Sequence, residues 1–359
     1  MEDFDLYKRI YNIEELIWIS IYINSNLISG DMSVYNKMLE LYHGIEDDMG
    51  AVEARFKEVI HSEDPFISEV AGHLLSAGGK RMRPALSLLG ARFCDYKLDN
   101  VMPLAVSLEL IHMATLVHDD MIDNSLVRRG VPTVNAKWGK NIAAWMGMYL
   151  FTKSLCLLSS YEENKPEVVR ELADISAKMC EGEFRQIVDS FDYKQVPKDY
   201  FYRVKRKTAY LLTASVYMGA MVCGGGRSIY SPLRRYGNNI GMAFQITDDI
   251  LDIISEQDKL GKPIGGDLRQ GIITLPVIYA LRCSCNKERL SELTGKTDKT
   301  EKEVQEAIEM IKECGAVEYS FAVAEKYLGK AKEELAALPD LPAKDNLIKI
   351  ADFIGVRKH

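Results

Sequence analysis

Six aspartates in two matching rows hold the most chemistry in this sequence. Asp119, Asp120 and Asp123 lie in LVHDDMIDN, and Asp248, Asp249 and Asp252 lie in QITDDILDI. Each row closes an apolar run with helical spacing, where residues i and i+4 share a face, so each row forms one acidic patch. A single row of this kind is as readily an ordinary solvated helix end as a site. Two rows of equal spacing on apolar helices are harder to explain in that way. Opposed carboxylates repel, and taking each ion out of water costs several kcal/mol. Divalent cations relieve that strain. Magnesium takes hard oxygen ligands, usually one or two carboxylates, several waters and phosphate oxygens, so the paired rows suit a diphosphate held through magnesium. Calcium fits less well, because no loop supplies the carbonyl-rich cage it favours.

Basic residues stand where such an anion needs them. SAGGKRMRP sets Lys80, Arg81 and Arg83 beside two glycines that let backbone approach a ligand; alone it reads equally as a basic surface turn. His112 lies two helical turns before Asp119 on roughly the same face, although a lone helical histidine is more often a core residue. Arg128 and Arg129 follow the first acidic row closely, and Lys207, Thr208, Gln245 and Lys262 fall in segments able to return to the same place. Arginine offers bidentate phosphate contacts and lysine a point charge.

The elements that must position these groups are helices. Helical periodicity runs from about residue 34 to the end with no sustained two-residue alternation, so the expected fold class is all-α. Breakers fall at SAGGKRMRP, RRGVPTVNAKWG, CGGG and GKPIGGDLRQG, where long helices would turn. The 359 residues, 47% of them hydrophobic, can bury a sizeable core, and one large domain over 33–359 is expected because motifs from both halves have complementary chemistry. The formal net charge of −7 argues against a general polyanion surface and against nucleic acid as a partner. Cys94, Cys156, Cys180, Cys223, Cys283, Cys285 and Cys314 show no metal-ligand spacing, which suggests a reducing cytoplasm. Residues 1–32 read as an extra amphipathic helix, without a secretory signal and too polar to span a bilayer. The charged tract KERLSELTGKTDKTEKEV reads as solvated helix ends and a loop.

In order, GGKRMRP, HDDMIDNSLVRRG, CEGEFRQ, KTA, FQITDDILD, GKPIGGDL and TLP resemble the trans-isoprenyl diphosphate synthases, or polyprenyl synthetases, over nearly the whole chain. The resemblance implies an all-α bundle around a deep central cavity, usually a homodimer, with a heteromer of two different subunits as the alternative. It implies that isopentenyl diphosphate condenses with an allylic diphosphate such as farnesyl diphosphate, with about three Mg2+ per site. By match, Asp119, Asp123 and Asp248 are direct metal ligands, with Asp120, Asp249 and Asp252 in direct or water-mediated support. Lys80, Arg83, His112 and Arg129 match the isopentenyl diphosphate site; Arg128, Lys207, Gln245 and Lys262 match contacts to the allylic diphosphate. The Lys207 carbonyl, the Thr208 hydroxyl and the Gln245 side-chain oxygen are suited to steady an allylic cation.

Two positions depart from the family's pattern. Ile272 stands where a lysine often precedes the TLP run, so one allylic-phosphate contact is expected to be missing, and Met148 follows Gly147 where an aspartate is common. Short-chain members carry aromatic residues four and five positions before the first motif, whereas Thr115 and Ala114 are small here. With Ile111 and Leu108 on deeper turns, the expected product is hexaprenyl to octaprenyl diphosphate; the alternative is geranylgeranyl diphosphate, with a floor set elsewhere. A class I terpene cyclase needs no second-diphosphate site like Lys80, Arg83 and His112, and a non-catalytic regulatory subunit generally loses acidic motifs that this chain keeps.

Overall fold

The computed structural model describes residues 41–254 and 264–356. The chain divides into two units, Met1–His43 and Gly44–His359, and all that follows concerns the second. The expected extension over 1–32, its boundary and Lys262 lie outside the described residues.

As expected, the protein is all-α. The helices are α1 (Glu46–Ile60), α2 (Pro65–Ser76), α3 (Met82–Ala91) and α4 (Leu98–Ile122), then after a short hairpin α5 (Val134–Trp138), α6 (Lys140–Leu158) and α7 (Pro166–Val188). Next come α8 (Pro197–Val204), α9 (Tyr210–Val222) and α10 (Arg227–Ile254), then α11 (Gly266–Gln270), α12 (Leu275–Cys283), α13 (Lys287–Gly295), α14 (Glu301–Glu313), α15 (Ala316–Leu335) and α16 (Pro342–Val356). The sequence pattern did not announce the hairpin, where β1 (Val127–Arg128) pairs antiparallel with β2 (Val131–Pro132). Arg129 and Gly130 turn the corner at φ of 53° and 78°. That is the left-handed pair a tight two-residue hairpin loop requires.

Helix α9 is the hub. Apart from Tyr210 and Met221 it is buried along its whole length, and it packs on α3, α4, α7 and α10. Its approach to α3 is close enough to exclude a methyl group. A Cβ on Gly90 would lie 1.9 Å from the Val216 carbonyl oxygen, and one on Gly219 would lie 2.1 Å from that of Ser87. Neither obstacle is a side chain that can turn away. Gly90→Ala should therefore destabilise the fold by about 3 kcal/mol in chemical denaturation, the upper range for overpacking. Gly72→Ala is the control: its Cβ meets nothing within 4 Å, so it should stabilise by about 0.5–1 kcal/mol through helix propensity and unfolded-state entropy.

The helices bearing the two aspartate rows both lie against α9, and Asp123 and Asp249 from their acidic ends line one cavity. Helix α4 is apolar and long enough to cross a membrane, as is the segment Lys140–Tyr161; two-thirds of the α4 window is buried in the bundle. One expectation needs correction. The charged tract over 287–304 supplies core as well as solvated ends, because Leu290, Leu293 and Val304 are buried in the cluster that supports α10.

Candidate active site

The first acidic row ends α4, with Asp123 as its C-cap and the Asp123 amide donating to the Asp119 carbonyl at 2.8 Å. The second row sits near the end of α10. Asp123 and Asp249 line one small cavity of about 110 Å3 together with Lys207, Gln245, Asp267 and Ile272. The two rows thus converge, and Lys207 bridges them to a third helix. Its ammonium is 2.9 Å from Glu183 Oε1 on α7 and 4.0 Å from Asp119 Oδ2. Lys207 stands on a five-residue π-helical turn, Lys205–Ala209, that interrupts the chain between α8 and α9. Such turns shift side-chain register and are frequent at functional sites.

Asp120, Asp249 and Asp252 each accept hydrogen bonds from protein donors. Arg128, on the hairpin, donates from Nε to both Asp120 oxygens at 2.9 and 2.8 Å. Asp249 accepts from the Tyr200 hydroxyl at 2.6 Å and from Gln245 Nε2 at 2.8 Å. Asp252 accepts the backbone amides of Gly266 and Asp267 at 3.1 and 3.0 Å, so it caps α11 and swings Asp267 into the cavity. Thr208 donates to Gln245 Oε1 at 2.5 Å, which fixes the amide so that its nitrogen faces Asp249.

The donor set fits a divalent cation and a diphosphate. Burial pushes Asp119 up to about 6 against the pull of Lys207, and pushes Asp249 up to about 7 despite its bonds from Tyr200 and Gln245. Desolvation followed by Asp252 and Asp249 raises Asp267 well above the carboxylate range. Among the described residues no three His, Cys, Asp or Glu groups close into a cage of their own. Hard oxygen donors that converge without caging suit a cation completed by water and phosphate oxygens.

These shifts imply a pH dependence for the metal-free protein. Both carboxyls hold a proton more tightly when folded than at their unfolded values near 4, so their protonation stabilises the fold fully below about pH 4. That contribution is lost as pH rises through about 6 for Asp119 and about 7 for Asp249. In EDTA the melting temperature should fall from pH 5 to pH 8, and Asp249→Asn should flatten the fall. An unchanged slope in that variant would remove Asp249 from the account.

The basic residues gather around the loop before α3. Arg129 donates to the Gly78 carbonyl, bringing the hairpin onto the glycine turn. Arg81, at φ 47°, turns inward to Glu53 at 2.8 Å and Glu109 at 3.2 Å, so it braces the loop. Arg83 is desolvated, beside Glu109 and Arg129, and burial lowers it to about 10; its Nε and Glu109 Oε2 have no hydrogen-bond partner. Burial, then Arg83 and Arg129, push His112 well below its usual range, so the imidazole is neutral at pH 7. Lys80 lies 4.7 Å over the ring of Phe353 from the C-terminal helix α16. An orphaned guanidinium N–H in a group of cations suits an anionic ligand.

The comparisons with known proteins decide the family. Residues 64–311 match the polyprenyl synthetase family model. The chain belongs to the polyprenyl synthetase family. It is 42% identical over 317 residues to heptaprenyl diphosphate synthase component 2 of Bacillus subtilis, covering 88% of this chain and 90% of that one. Its fold is similar to the polyprenyl synthase of Caulobacter crescentus crystallised with calcium and isoprenyl diphosphate, with TM-score 0.85, 33% identity, and coverage of 90% and 98%. It is also similar to heptaprenyl diphosphate synthase of Staphylococcus aureus, with TM-score 0.83, 36% identity, and coverage of 88% and 99%. As a polyprenyl synthetase it is a prenyltransferase, one of a family that works on diphosphates with divalent metal.

Within that family the two departures differ in place. Ile272 lines the carboxylate cavity, so an apolar wall stands where a cation is common; Met148 is half exposed on α6. Gly147 beside it leaves room for the His118 ring, which an added Cβ would meet at 2.3 Å from Nε2 and displace. Sequence reasoning assigned no role to Tyr200, Arg203, Glu183 or Asp267. Tyr200, Arg203 and Lys207 recur at three and four residues, a helix-face spacing that was available as a signal. Arg203 is buried and ties Gln195 at 2.7 Å to the Ile273 carbonyl at 2.6 Å, holding the cavity wall.

Proposed function

We propose that this chain condenses isopentenyl diphosphate with an allylic diphosphate such as farnesyl diphosphate to give a hexaprenyl to octaprenyl product. Asp119, Asp123 and Asp248 hold Mg2+ with the allylic diphosphate, and Asp120, Asp249 and Asp252 support them. The observation that carries this reading is the one cavity shared by Asp123, Asp249 and Lys207. Bound there, Mg2+ supplies Lewis-acid neutralisation of the departing diphosphate. Lys207 and Arg128 add fixed positive charge on the same side, and charge placed in advance where it develops is what lowers the barrier. Thr208 and Gln245 keep oxygen dipoles toward the allylic cation, while Ile272 and Val204 add apolar surface to the wall. Lys80, Arg83, His112 and Arg129 orient the isopentenyl diphosphate, whose double bond attacks; the released diphosphate takes the final proton.

The small residues Ala114 and Thr115 favour the longer product over geranylgeranyl diphosphate. A second, different subunit is part of the proposal. The relative with 42% identity is named as component 2 of its synthase, and α6 presents Trp145, Met148 and Leu155, exposed by 74, 50 and 44%, on one face. Such a face fits a subunit interface better than water. The free cysteines agree with a cytoplasmic enzyme.

The test incubates the purified chain with farnesyl diphosphate, isopentenyl diphosphate and Mg2+, alone and with a candidate second subunit, and sizes the products. Hexaprenyl to octaprenyl diphosphate is expected, formed fastest by the pair. Accumulation of geranylgeranyl diphosphate would overturn the chain length, and full activity of the chain alone would overturn the second subunit.

A further inference from the structure

A second cleft, of about 710 Å3, opens between α7, α9, α10 and α15 and shares no lining residue with the carboxylate cavity. Its walls bring five cationic side chains, Lys178, Lys205, Arg234, Arg235 and Lys330, against three carboxylates. Two of those carboxylates are already engaged. Glu171 accepts from the Tyr217 hydroxyl at 2.7 Å and from Arg234 at 2.9 Å, and Glu334 accepts from Arg235 at 2.7 Å. Lys178 is taken by Asp174, outside the lining.

Lys205 and Lys330 are left over against the one remaining carboxylate of the walls, Glu333. Among the described residues Lys205 meets only the ring of Tyr210, at 5.7 Å, and Lys330 only the ring of Tyr327, at 5.8 Å. Asn239 also lines the cleft, and its carboxamide makes no hydrogen bond among the described residues. Uncommitted ammonium groups beside it complete the donor side of an anion site. The cleft lies in the size range of small-molecule sites and is far larger than one oxyanion needs.

We propose that this cleft binds a small-molecule di- or triphosphate through Lys205, Lys330 and Asn239, and that its occupancy is felt at the carboxylate cavity through the π-helical turn. Lys205 and Lys207 belong to the same five-residue turn, yet Lys205 lines this cleft and Lys207 lines the other cavity. A ligand that fixes Lys205 and the adjacent Tyr210 favours one arrangement of that turn, and with it one placement of Lys207 and Thr208. Coupling of this kind requires only that the ligand bind one arrangement better than the other. The shared chemistry is a chain of phosphates, free or carried by a nucleotide.

The test is hydrogen exchange on the full chain in EDTA, with tripolyphosphate in one arm and ADP in the other, beside Lys205→Ala/Lys330→Ala. These are exposed side chains, so their removal should shift stability by no more than about 0.5 kcal/mol. At ten times the dissociation constant, exchange over 205–213 and 326–334 should slow by about tenfold in the unmodified protein and not in the variant. Slowing by both probes identifies the phosphate chain itself as the ligand, and slowing by ADP alone identifies a nucleotide. No slowing at millimolar probe, or slowing that persists in the variant, overturns the site. In steady-state assays the same probes should change KM for the allylic diphosphate in the unmodified enzyme, through a component absent in Lys330→Ala. An identical response in both overturns the coupling. Protection confined to 80–83 or 119–123 reports binding at the other cavity and counts against this one.

Discussion

Replacing Asp119 by asparagine is expected to lower kcat by about 10²–10³-fold while leaving the melting temperature unchanged or raised. The magnitude is that of removing one preorganised electrostatic contact to developing charge. The direction follows from what surrounds the carboxylate. Asp120, next in sequence, has both oxygens on Arg128, so it cannot take over as a ligand without giving up that pair. Lys207 remains 2.9 Å from Glu183 when Asp119 is neutralised, so its ammonium is still held, now with a weaker pull toward the cavity. Asparagine keeps the size of the side chain and removes a charge whose proton affinity is raised mainly by burial, so the fold loses nothing that water would have to replace. Steady-state kinetics at saturating Mg2+ and farnesyl diphosphate, beside calorimetry, separate the two effects. A kcat within tenfold of the unmodified enzyme would sink the assignment of Asp119 as a metal ligand, and a large drop in melting temperature would make the loss structural.

Why the two aspartate rows were readable and their supporting contacts were not comes down to range. The rows are local: helical periodicity puts Asp119 and Asp123 on one face whatever the rest of the chain does. The same local rule made the fold class legible, along with the breaks near residues 77–81 and 223–226. The partners that divide the six carboxylates come from elsewhere. Tyr200 reaches Asp249 across 49 residues, and Arg128 reaches Asp120 only because the Arg129–Gly130 corner folds the hairpin back. Asp252 is spent on the amides of residues 266 and 267, and that is what delivers Asp267 to the cavity. No periodicity encodes such contacts. The π-helical turn was equally hidden, because KRKTA has the composition of an ordinary helix and its extra residue per turn is stabilised by packing on α7 and α10. The basic cleft was invisible for a similar reason: Lys178, Lys205 and Lys330 lie far apart in the sequence until three helical segments bring them together.

Ala114→Phe is expected to shift the product to geranylgeranyl diphosphate or shorter, and the size of that shift decides where the hydrocarbon runs. Ala114 lies on the buried side of α4, five residues before Asp119, so its methyl group sits more than one turn below the acidic row. Leu108 and Ile111, deeper on the same helix, are also buried, whereas Thr115 turns its hydroxyl back to the His112 carbonyl at 2.7 Å and presents its methyl. A growing chain that passes Ala114 meets a benzyl group in the variant and stops within a few isoprene units. Stability then supplies the second reading. If the space beside Ala114 is the one a product enters, the ring occupies it at little cost and the melting temperature holds. If Ala114 is instead packed against a neighbouring helix, the added ring overpacks the core, costs about 1–3 kcal/mol, and leaves the product distribution alone. Product sizing and thermal denaturation of one variant therefore separate a hydrocarbon path along α4 from ordinary helix packing, and an unchanged product with a lowered melting temperature would move the chain-length floor to another helix.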